Sequence, residues 1–416
     1  MITASDKPAW ITRTVESKLN ETMTHFPVVL ISGPRAVGKS SLARRSTKGF
    51  LALDVPSNAS AAEVDPDGLL VRQEFPLTID EWQESPKILG AVKRMMDAGL
   101  PAGQIIITGS SDSSKRDQLW PGTGRLMELR LFGFTQCEIT GSSTSLVEQL
   151  FLQSLEISKV PNSEIGIEGY LQLAARSGYP NIALGNAPSE MVSDYLRSTA
   201  QVSCARDAAA LGLEVDSNKL YAYLKAMAAT VAQMPTDISL QQAARVSPPS
   251  ANKYELALEQ VGLVQRIPAW ATNSVMRLTK TSKISFLDTG LMLAVNAWSV
   301  DDLMNDGGKR GQVLENFVIQ QLRTDAEAVG ATMHHLRNSA GTREIDLIIE
   351  WVNGDLVAIE IKSSLAVDDD DAKHLRWLQK EYPERVKAAV VLYAGKYPVK
   401  LKDGVIALPI SALWQN

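Results

Sequence analysis

The segment from Gly33 to Ser40 (GPRAVGKS) constrains the fold of this chain more than any other part of the sequence. It matches the pattern GxxxxGK[ST], an apolar run (PVVLIS, 27–32) precedes it, and a helix-forming stretch (Ser41 to Arg45) follows. The glycines let backbone N–H groups turn inward around phosphate oxygens, and a helix N-terminus adds partial positive charge. The segment therefore predicts a buried strand, a phosphate-binding loop and a helix.

This loop is expected to bind ATP with Mg²⁺. Lys39 is expected on the β- and γ-phosphates, and the Ser40 hydroxyl is expected to hold Mg²⁺. The residues expected to contact the nucleotide are Gly33, Pro34, Arg35, Ala36, Val37, Gly38, Lys39, Ser40 and Ser41.

A second segment supports the first. Leu77-Thr-Ile-Asp80-Glu81 ends an apolar run in two carboxylates about forty residues after the loop, which is the Walker-B arrangement. Asp80 is predicted to reach the Mg²⁺ shell. Glu81 is predicted to polarise a water molecule for attack on the γ-phosphate.

Three further residues are candidates at the same site. Ser110 follows another apolar run and could sense the γ-phosphate, although a turn of small residues fits this segment as well. Arg125 and Arg206 are candidates for an arginine finger that neutralises transition-state charge. A finger that acts in trans would require a homo-oligomer.

The first 145 residues are predicted to form a parallel sheet with helices on both faces. Four short apolar runs (27–32, 50–55, 75–80 and 104–108) are bounded by turn residues and separated by helix-like stretches. Runs of this length are typical of buried parallel strands. The fold class is therefore α/β, and residues 1–145 are assigned to the ATP-binding domain.

Residues 146–300 are predicted to be a helical and winged-helix-like domain. A helix over Ser239–Val246, a turn at Pro248-Pro249, and a helix over Ser250–Val261 precede two strands, Leu263–Pro268 and Met276–Phe286. This order is typical of winged-helix units, which bind DNA in some proteins and serve only as packing modules in others.

Residues 301–416 form a separate α/β unit with a second group of charged residues. Glu315 lies on a predicted helix, Asp346 on a strand, and Glu360 and Lys362 share one face of the next strand. If the strands pair through Asn353-Gly354, Asp346 and Glu360 can share Mg²⁺ or Mn²⁺. Lys362 could then activate water at a scissile phosphate. His374 is expected in the core or on the surface, with an approach to this site as the alternative.

These residues resemble the PD-(D/E)xK nuclease core. The whole series also resembles a bacterial and archaeal family of AAA-type P-loop ATPases with a restriction-endonuclease-like C-terminal domain. The segments that carry this resemblance are GPRAVGKSS, TIDEWQ, TGSS, Gly124-Arg125, SGYP, Arg206-Asp207, FLDTGL and LENF…EIDLIIE…IEIKSS. The resemblance implies an ATP-binding domain, a helical and winged middle, and a nuclease-like end.

Composition limits the partners. The 416 residues carry 42 basic and 47 acidic side chains, so the net charge of −5 provides no global field for nucleic acid. DNA contact would need local basic sites, such as Arg44-Arg45-Lys48, Lys280-Lys283 or Lys309-Arg310. Two cysteines, no signal-like N-terminus and no long apolar run predict a cytoplasmic protein without a membrane segment.

Two functional hypotheses follow. In the first, the nucleotide state of an Mg²⁺-dependent ATPase controls a DNA-directed, nuclease-like domain. In the second, the chain is an ATP-driven switch whose nuclease-like domain does not cut and instead docks nucleic acid or a protein partner. The acidic composition favours the second slightly, because DNA-processing proteins often carry more positive charge.

Overall fold

The computed structural model of the chain describes residues 10–109, 126–142, 144–210, 215–232, 237–272, 277, 281–337 and 342–415. Ser110 and Arg125, two of the predicted nucleotide-site residues, lie outside these ranges.

A five-stranded parallel sheet forms the first part of the chain, with the strand order β2-β3-β4-β1-β5. Its strands are β1 (Val28–Ser32), β2 (Gly49–Ala52), β3 (Leu77–Asp80), β4 (Ile105–Thr108) and β5 (Leu126–Arg130). Its helices are α1 (Glu16–His25), α2 (Lys39–Ser46), α3 (Pro56–Val64), α4 (Pro66–Val71) and α5 (Lys87–Asp97). The four predicted strands are confirmed, and β5 adds a fifth at the edge.

Both faces of this sheet are covered. In β1, Val29 and Ile31 belong to one apolar core with Leu42 of α2. The alternate residues Val28 and Leu30 belong to a second core, which also contains apolar residues of α5. Alternation of side chains along a strand explains why a strand buried on both faces reads as an unbroken apolar run. The predicted α/β class with helices on both faces is therefore confirmed.

The middle of the chain is mostly helical and contains a two-stranded antiparallel sheet of β6 (Val264–Ile267) and β7 (Lys283–Phe286). The helix α6 (Gln136–Thr140) follows β5 and still belongs to the first part of the chain. The helices of the middle are α7 (Leu146–Phe151), α8 (Ile167–Arg176), α9 (Pro180–Ala183), α10 (Ser189–Val202), α11 (Ala208–Ala210), α12 (Ser217–Ala229), α13 (Asp237–Ala244), α14 (Pro248–Gln260), α15 (Thr289–Asn296) and α16 (Val300–Asn305). A π-helical turn, Ser203–Asp207, separates α10 from α11.

The prediction of a turn at Pro248-Pro249 is wrong. Both prolines lie in the first turn of α14, whose N-cap is Ser247. Proline is well accommodated there, because the first N–H groups of a helix have no intrahelical partner. Two helices and two paired strands otherwise follow in the predicted order. The second strand covers only Lys283–Phe286 of the predicted Met276–Phe286, because Arg277 is not in a strand and residues 276 and 278–280 lie outside the described ranges.

The last part of the chain is a mixed six-stranded sheet with the order β12-β13-β11-β10-β9-β8. Its elements are α17 (Gly307–Val329), β8 (Thr332–Arg337), β9 (Glu344–Glu350), β10 (Leu356–Lys362), α18 (Lys373–Glu381), β11 (Val386–Tyr393), β12 (Val399–Lys400) and β13 (Ile406–Pro409). Strand β10 pairs antiparallel with β9 and parallel with β11. This pairing places β10 in the middle of the sheet.

The helix α17 connects the three parts. Its Gln321 Oε1 accepts a hydrogen bond from the Gln136 N–H at 2.7 Å, and its Asn316 Oδ1 accepts one from the Phe286 N–H at 2.8 Å. One apolar core contains Val15, Leu224 and Leu408, which come from the three parts of the chain. The parts therefore pack as one body around α17.

Within the parts of the chain that the structure describes, no helix is both long enough and apolar enough to cross a membrane.

Candidate nucleotide site and acidic cluster

The phosphate-binding loop joins β1 to α2. Gly33 has φ +142°, and a Cβ at this position would lie 2.0 Å from the Leu131 carbonyl oxygen. Gly38 is the N-cap of α2 and has φ +100°. Both positions therefore require glycine, one because of close backbone contact and both because of the positive φ. The loop has the strand-loop-helix geometry that the sequence predicts.

The Lys39 side chain is buried and points back into the loop. Its Nζ donates hydrogen bonds to the carbonyl oxygens of Gly33 at 3.0 Å and Pro34 at 2.8 Å. Burial lowers the pKa of Lys39 to about 8, and the charges of Glu81 and Asp80 act in the opposite direction. This cation is held by weak neutral acceptors, so an anionic phosphate would be a better partner.

Asp80 ends β3 beside the loop and is 8% exposed. Its Oδ1 accepts a hydrogen bond from the Ser40 hydroxyl at 2.8 Å and a second one from the Thr108 hydroxyl. A carboxylate and a hydroxyl that meet beside a phosphate loop are the oxygen ligands that suit Mg²⁺. The donor set of Ser40 and Asp80 therefore fits this ion. Thr108, which supports Asp80, is not among the predicted site residues.

Glu81 follows Asp80 in the left-handed backbone region, with φ +53°. Its carboxylate accepts a hydrogen bond from the Gln83 side-chain amide. A non-glycine residue held in this region is typical of functional sites, where the surrounding structure maintains the strain. The backbone conformation of Glu81 and the hydrogen bond from Gln83 together fix the orientation of the Glu81 carboxylate.

The middle of the chain packs directly against the loop. Arg35 Nη1 lies 2.6 Å from Asp207 Oδ1 in the π-helical turn. A Cβ at Gly262, in the turn before β6, would lie 3.0 Å from the Pro34 Cα. The side chain of Arg206 is exposed. Its neighbour Asp207 connects the π-helical turn to the phosphate-binding loop through the contact with Arg35. Ser41 is exposed in the first turn of α2.

The second group of charged residues comes together as the sequence predicts. We call Glu315, Asp346 and Glu360 the acidic cluster. Strands β9 and β10 pair in the register Ile359 opposite Leu347, so Asp346 and Glu360 are the next opposed pair. The Ile361 N–H donates to Asp346 Oδ2 at 2.8 Å, which fixes the Asp346 side chain against β10.

Glu360 is the most strongly perturbed member of the acidic cluster. Its side chain is buried, and Lys362 Nζ lies 3.3 Å from its Oε2. Burial, followed by the charge of Asp346, raises the pKa of Glu360 far above its ordinary value. The charge of Asp346 therefore opposes ionisation of Glu360, and the Lys362 ammonium favours it.

One cation of the acidic cluster is not predicted from the sequence. Lys283 of β7 is 1% exposed, and its Nζ lies 2.5 Å from Glu315 Oε1 and 4.0 Å from Asp346 Oδ1. Burial opposes its charge, but Glu315 and Asp346 together outweigh burial and raise the pKa of Lys283. The only sequence signal is a lysine in a short strand whose alternate residues are apolar. The prediction of Lys280-Lys283 as a basic surface site is wrong for Lys283, and Lys280 lies outside the described residues.

His374 lies beside the acidic cluster, which was the alternative to a core or surface position. Its Nδ1 is 3.9 Å from Glu360 Oε1 and 2.7 Å from the Glu344 carbonyl oxygen. It begins α18 together with Lys373, immediately beyond the loop that leaves β10.

A divalent cation would find few ligands at this cluster. Among the described residues, no group of three or more His, Cys, Asp or Glu side chains is arranged to hold a metal ion. Two carboxylates, Asp346 and Glu360, still meet at one point, and Mg²⁺ often binds with one or two carboxylates and several waters. The donor chemistry therefore fits Mg²⁺ or Mn²⁺, but Glu315 is engaged by Lys283.

Comparison with known proteins assigns the first part of the chain. Residues 25–140 match a family model described as "AAA domain". Residues 167–302 and 310–413 match models described as domains of unknown function, DUF8612 and DUF4143. Neither description bears on the predicted nuclease-like character of the last part.

Two mycobacterial proteins resemble nearly the whole chain. The uncharacterized proteins Mb2031c of Mycobacterium bovis and Rv2008c of Mycobacterium tuberculosis are each 24% identical to it over 406 residues. The match covers 95% of this chain and 83% of each relative.

Among solved structures, a Walker-type ATPase of Pyrococcus abyssi is 14% identical with a TM-score of 0.41, over 67% of this chain and 94% of that chain. The FIGL-1 AAA domain in complex with ADP is 14% identical with a TM-score of 0.22, over 61% of this chain and 85% of that chain. The loop geometry, the Asp80 contacts and the family match lead to one conclusion: residues 25–140 are an AAA-type P-loop ATPase domain.

Proposed function

We propose that this chain binds and hydrolyses ATP with Mg²⁺. The observation that carries the proposal is the contact between Ser40 and Asp80, 2.8 Å apart, which unites the Walker-A and Walker-B segments. Lys39 binds the β- and γ-phosphates, and Ser40 and Asp80 hold Mg²⁺. When bound, Mg²⁺ neutralises charge that develops on the phosphate oxygens. Glu81 orients the attacking water and accepts its proton.

The middle of the chain supplies an arginine to this site. Asp207 bonds Arg35 of the loop, so the adjacent Arg206 belongs to a segment that borders the nucleotide in the same chain. We assign Arg206, rather than a residue of a second copy, to the stabilisation of transition-state charge. Hydrolysis then requires no homo-oligomer.

The experiment is a steady-state ATPase assay on the full chain. We expect Lys39→Ala to abolish ATP binding, and Glu81→Gln to retain binding while kcat falls about 100-fold or more, the usual scale for general-base removal. Exposed neighbours serve as matched controls, namely Lys48→Ala and Glu84→Gln. Normal hydrolysis by Lys39→Ala, or by Glu81→Gln, would overturn the corresponding assignment.

For the C-terminal part we propose control by the nucleotide state of a domain that acts on DNA. Asp346 and Glu360 hold Mg²⁺ or Mn²⁺, Lys362 orients a water molecule, and Glu315 completes the charged pocket. The opposed positions of Asp346 and Glu360 on paired strands support this proposal. The contact between Lys362 and Glu360 supports it as well, because it sets a cation beside the place where charge would develop.

The second candidate is an ATP-driven switch whose C-terminal domain docks nucleic acid or a protein and cuts nothing. One observation favours it specifically: Lys283 neutralises Glu315 inside the acidic cluster, where a nuclease would need room for a metal ion. The charge balance of 42 basic against 47 acidic residues points the same way.

Cleavage of circular and linear DNA separates the two candidates. The wild type is incubated with Mg²⁺ or Mn²⁺, with and without ATP, beside Lys39→Ala and the double variant Glu360→Gln, Lys362→Met. The exposed pair Lys380→Met, Glu381→Gln is the matched control. Cutting that disappears only in the first double variant supports the nuclease. If no DNA is cut under any condition and the ATPase activity is intact, the result supports the switch. DNA binding that weakens steeply with added salt would then indicate a nucleic-acid partner, and its absence would indicate a protein partner.

A further inference from the structure

The acidic cluster contains a cation that comes from another part of the chain. Building on the metal-dependent C-terminal function proposed above, we propose that Lys283 is a built-in cation that competes with the divalent metal ion. With its ammonium group in place, Lys283 keeps the cluster in a low-affinity state, and a metal ion binds tightly only when that group withdraws.

The position of Lys283 is the first argument. A lysine that is 1% exposed is rare, because removing an ammonium group from water is costly unless carboxylates compensate for it. Lys283 Nζ donates to Glu315 Oε1 at 2.5 Å and to the Asp346 carbonyl oxygen at 3.2 Å. It therefore contacts two of the three residues of the acidic cluster.

Charge balance is the second argument. The cluster has three carboxyl groups, and two lysines face them: Lys283 at Glu315 and Asp346, and Lys362 at Glu360. A divalent ion between Asp346 and Glu360 would bring two more positive charges close to the Lys283 ammonium. Repulsion at such short range is strong in a site with little water. Metal binding is therefore weakened as long as Lys283 stays in place.

The origin of Lys283 is the third argument. It belongs to β7, whose Ser285 and Phe286 hydrogen-bond to Asn316 on α17, one residue beyond Glu315. Strand β7 pairs only with β6 in the described sheets, and the turn before β6 contacts Pro34 of the phosphate loop. The two-stranded sheet that carries the lysine therefore extends from the nucleotide loop to the acidic cluster.

The test measures Mn²⁺ binding to the full chain by electron paramagnetic resonance of the free ion, without nucleotide or DNA. All proteins carry Asp80→Asn, which silences the predicted ion site of the ATPase domain. We expect the protein with Lys283→Met to bind one Mn²⁺ at least tenfold more tightly than the parent, which carries Asp80→Asn alone. Adding Asp346→Asn to Lys283→Met should remove this gain, and the exposed Lys400→Met should leave the parent affinity unchanged.

Equal Mn²⁺ affinity of the parent and Lys283→Met would overturn the proposal. If Lys283→Met does not fold, as judged by circular dichroism and thermal unfolding, Lys283→Gln replaces it, because glutamine keeps a hydrogen-bond donor for Glu315 without the charge. Tighter Mn²⁺ binding without any DNA cleavage would leave this proposal standing and reject the nuclease. DNA cleavage by the wild type, without tighter Mn²⁺ binding by Lys283→Met, would reject this proposal and support the nuclease.

Discussion

Arg35 Nη1 and Asp207 Oδ1 lie 2.6 Å apart, and this ion pair ties the phosphate loop to the π-helical turn of the middle unit. Asp207 also accepts a hydrogen bond from the Ser203 hydroxyl at 2.9 Å, so its carboxylate is fixed on its own turn. Turns of this kind often mark functional sites within helices. A change of the loop on nucleotide binding would therefore act on the helical unit through this pair.

Removing the charge of Asp207 should strengthen ATP binding. Asp207→Asn takes a negative charge away from the region of Lys39 and releases Arg35 for the phosphates. We expect the dissociation constant for ATP, measured by calorimetry, to fall about threefold to tenfold, or roughly 1 kcal/mol. Thermal stability should change little, because the Arg35 side chain is 71% exposed. Asp194→Asn, which removes an exposed aspartate paired with Arg197, is the control, and weaker binding by Asp207→Asn would contradict this interpretation.

Removing the Thr108 hydroxyl should raise the Mg²⁺ concentration that the ATPase reaction requires. Thr108→Val removes the hydrogen bond to Asp80 without changing the volume of a fully buried side chain. We expect a loss of about 1 kcal/mol of stability, a kcat roughly tenfold lower and a higher Mg²⁺ concentration for half-maximal ATPase rate. Thr78→Val on the neighbouring strand breaks the 2.6 Å contact with Thr47. It should cost similar stability and leave the Mg²⁺ requirement unchanged, and an equal shift in both variants would speak against a role at the ion.

ATP binding should weaken in alkaline solution. Burial lowers the pKa of Lys39 to about 8 in the nucleotide-free chain. Only the protonated amine pairs with phosphate, so above pH 8 each binding event must first add a proton to Lys39. The dissociation constant should be flat below about pH 7 and rise roughly tenfold per pH unit above pH 8. Calorimetry in two buffers of different ionisation enthalpy would detect the proton uptake. Lys39→Arg, which stays charged, should show neither effect, and pH-independent binding by the wild type up to pH 9 would refute the assignment.

The buried pair of Arg13 and Glu138 should be essential for stability. Their side chains lie 3.1 Å apart and are 2% and 1% exposed, and Arg13 also donates to the Val37 carbonyl oxygen of the phosphate loop. Arg13→Met leaves the Glu138 carboxylate buried without its cation, which costs about 3–5 kcal/mol. Urea unfolding measures the stability of this variant and of the control Arg45→Met. The ion pair of Arg45 with Glu16 is half-exposed and contributes under about 1 kcal/mol. Similar unfolding midpoints for the two variants would contradict this prediction.

Asp325 should make the fold sensitive to pH. Burial raises the pKa of this α17 carboxyl to about 7, against an ordinary value of 3.8. Between about pH 4 and 7 the folded chain keeps a proton that the unfolded chain releases, so stability falls as pH rises through this window. Asp325→Asn should therefore gain about 4 kcal/mol at pH 8 and nothing at pH 4. Chemical unfolding at both pH values measures this difference. Asp301→Asn on the surface should show no such gain, and a pH-independent effect at Asp325 would refute burial of its carboxyl group as the cause.

Local patterns were sufficient to predict most of the secondary structure. The strand before Gly33 and the strand ending at Asp80 lie where the apolar runs indicate, since a short run between turn residues forms a buried strand in almost any sheet. The edge strand β5 escaped prediction because its exposed residues, Met127 among them, break the apolar pattern. The Pro248-Pro249 turn failed because proline has two uses, and only the surrounding chain decides between a turn and a first helical turn.

The members of the two groups of candidate functional residues could be predicted to lie together without the structure. Spacing along a loop, and alternation along a strand, fix which side chains share one face, so the sites of Lys39 and of Asp346 with Glu360 were both readable from local geometry. What meets these groups from elsewhere depends on tertiary packing. Lys283 is 32 residues from Glu315 in the chain, and Asp207 is 172 residues from Arg35. Charged residues this far apart in the chain come into contact only because whole helices and strands pack together. No local sequence pattern predicts which buried cation will lie against which carboxylate.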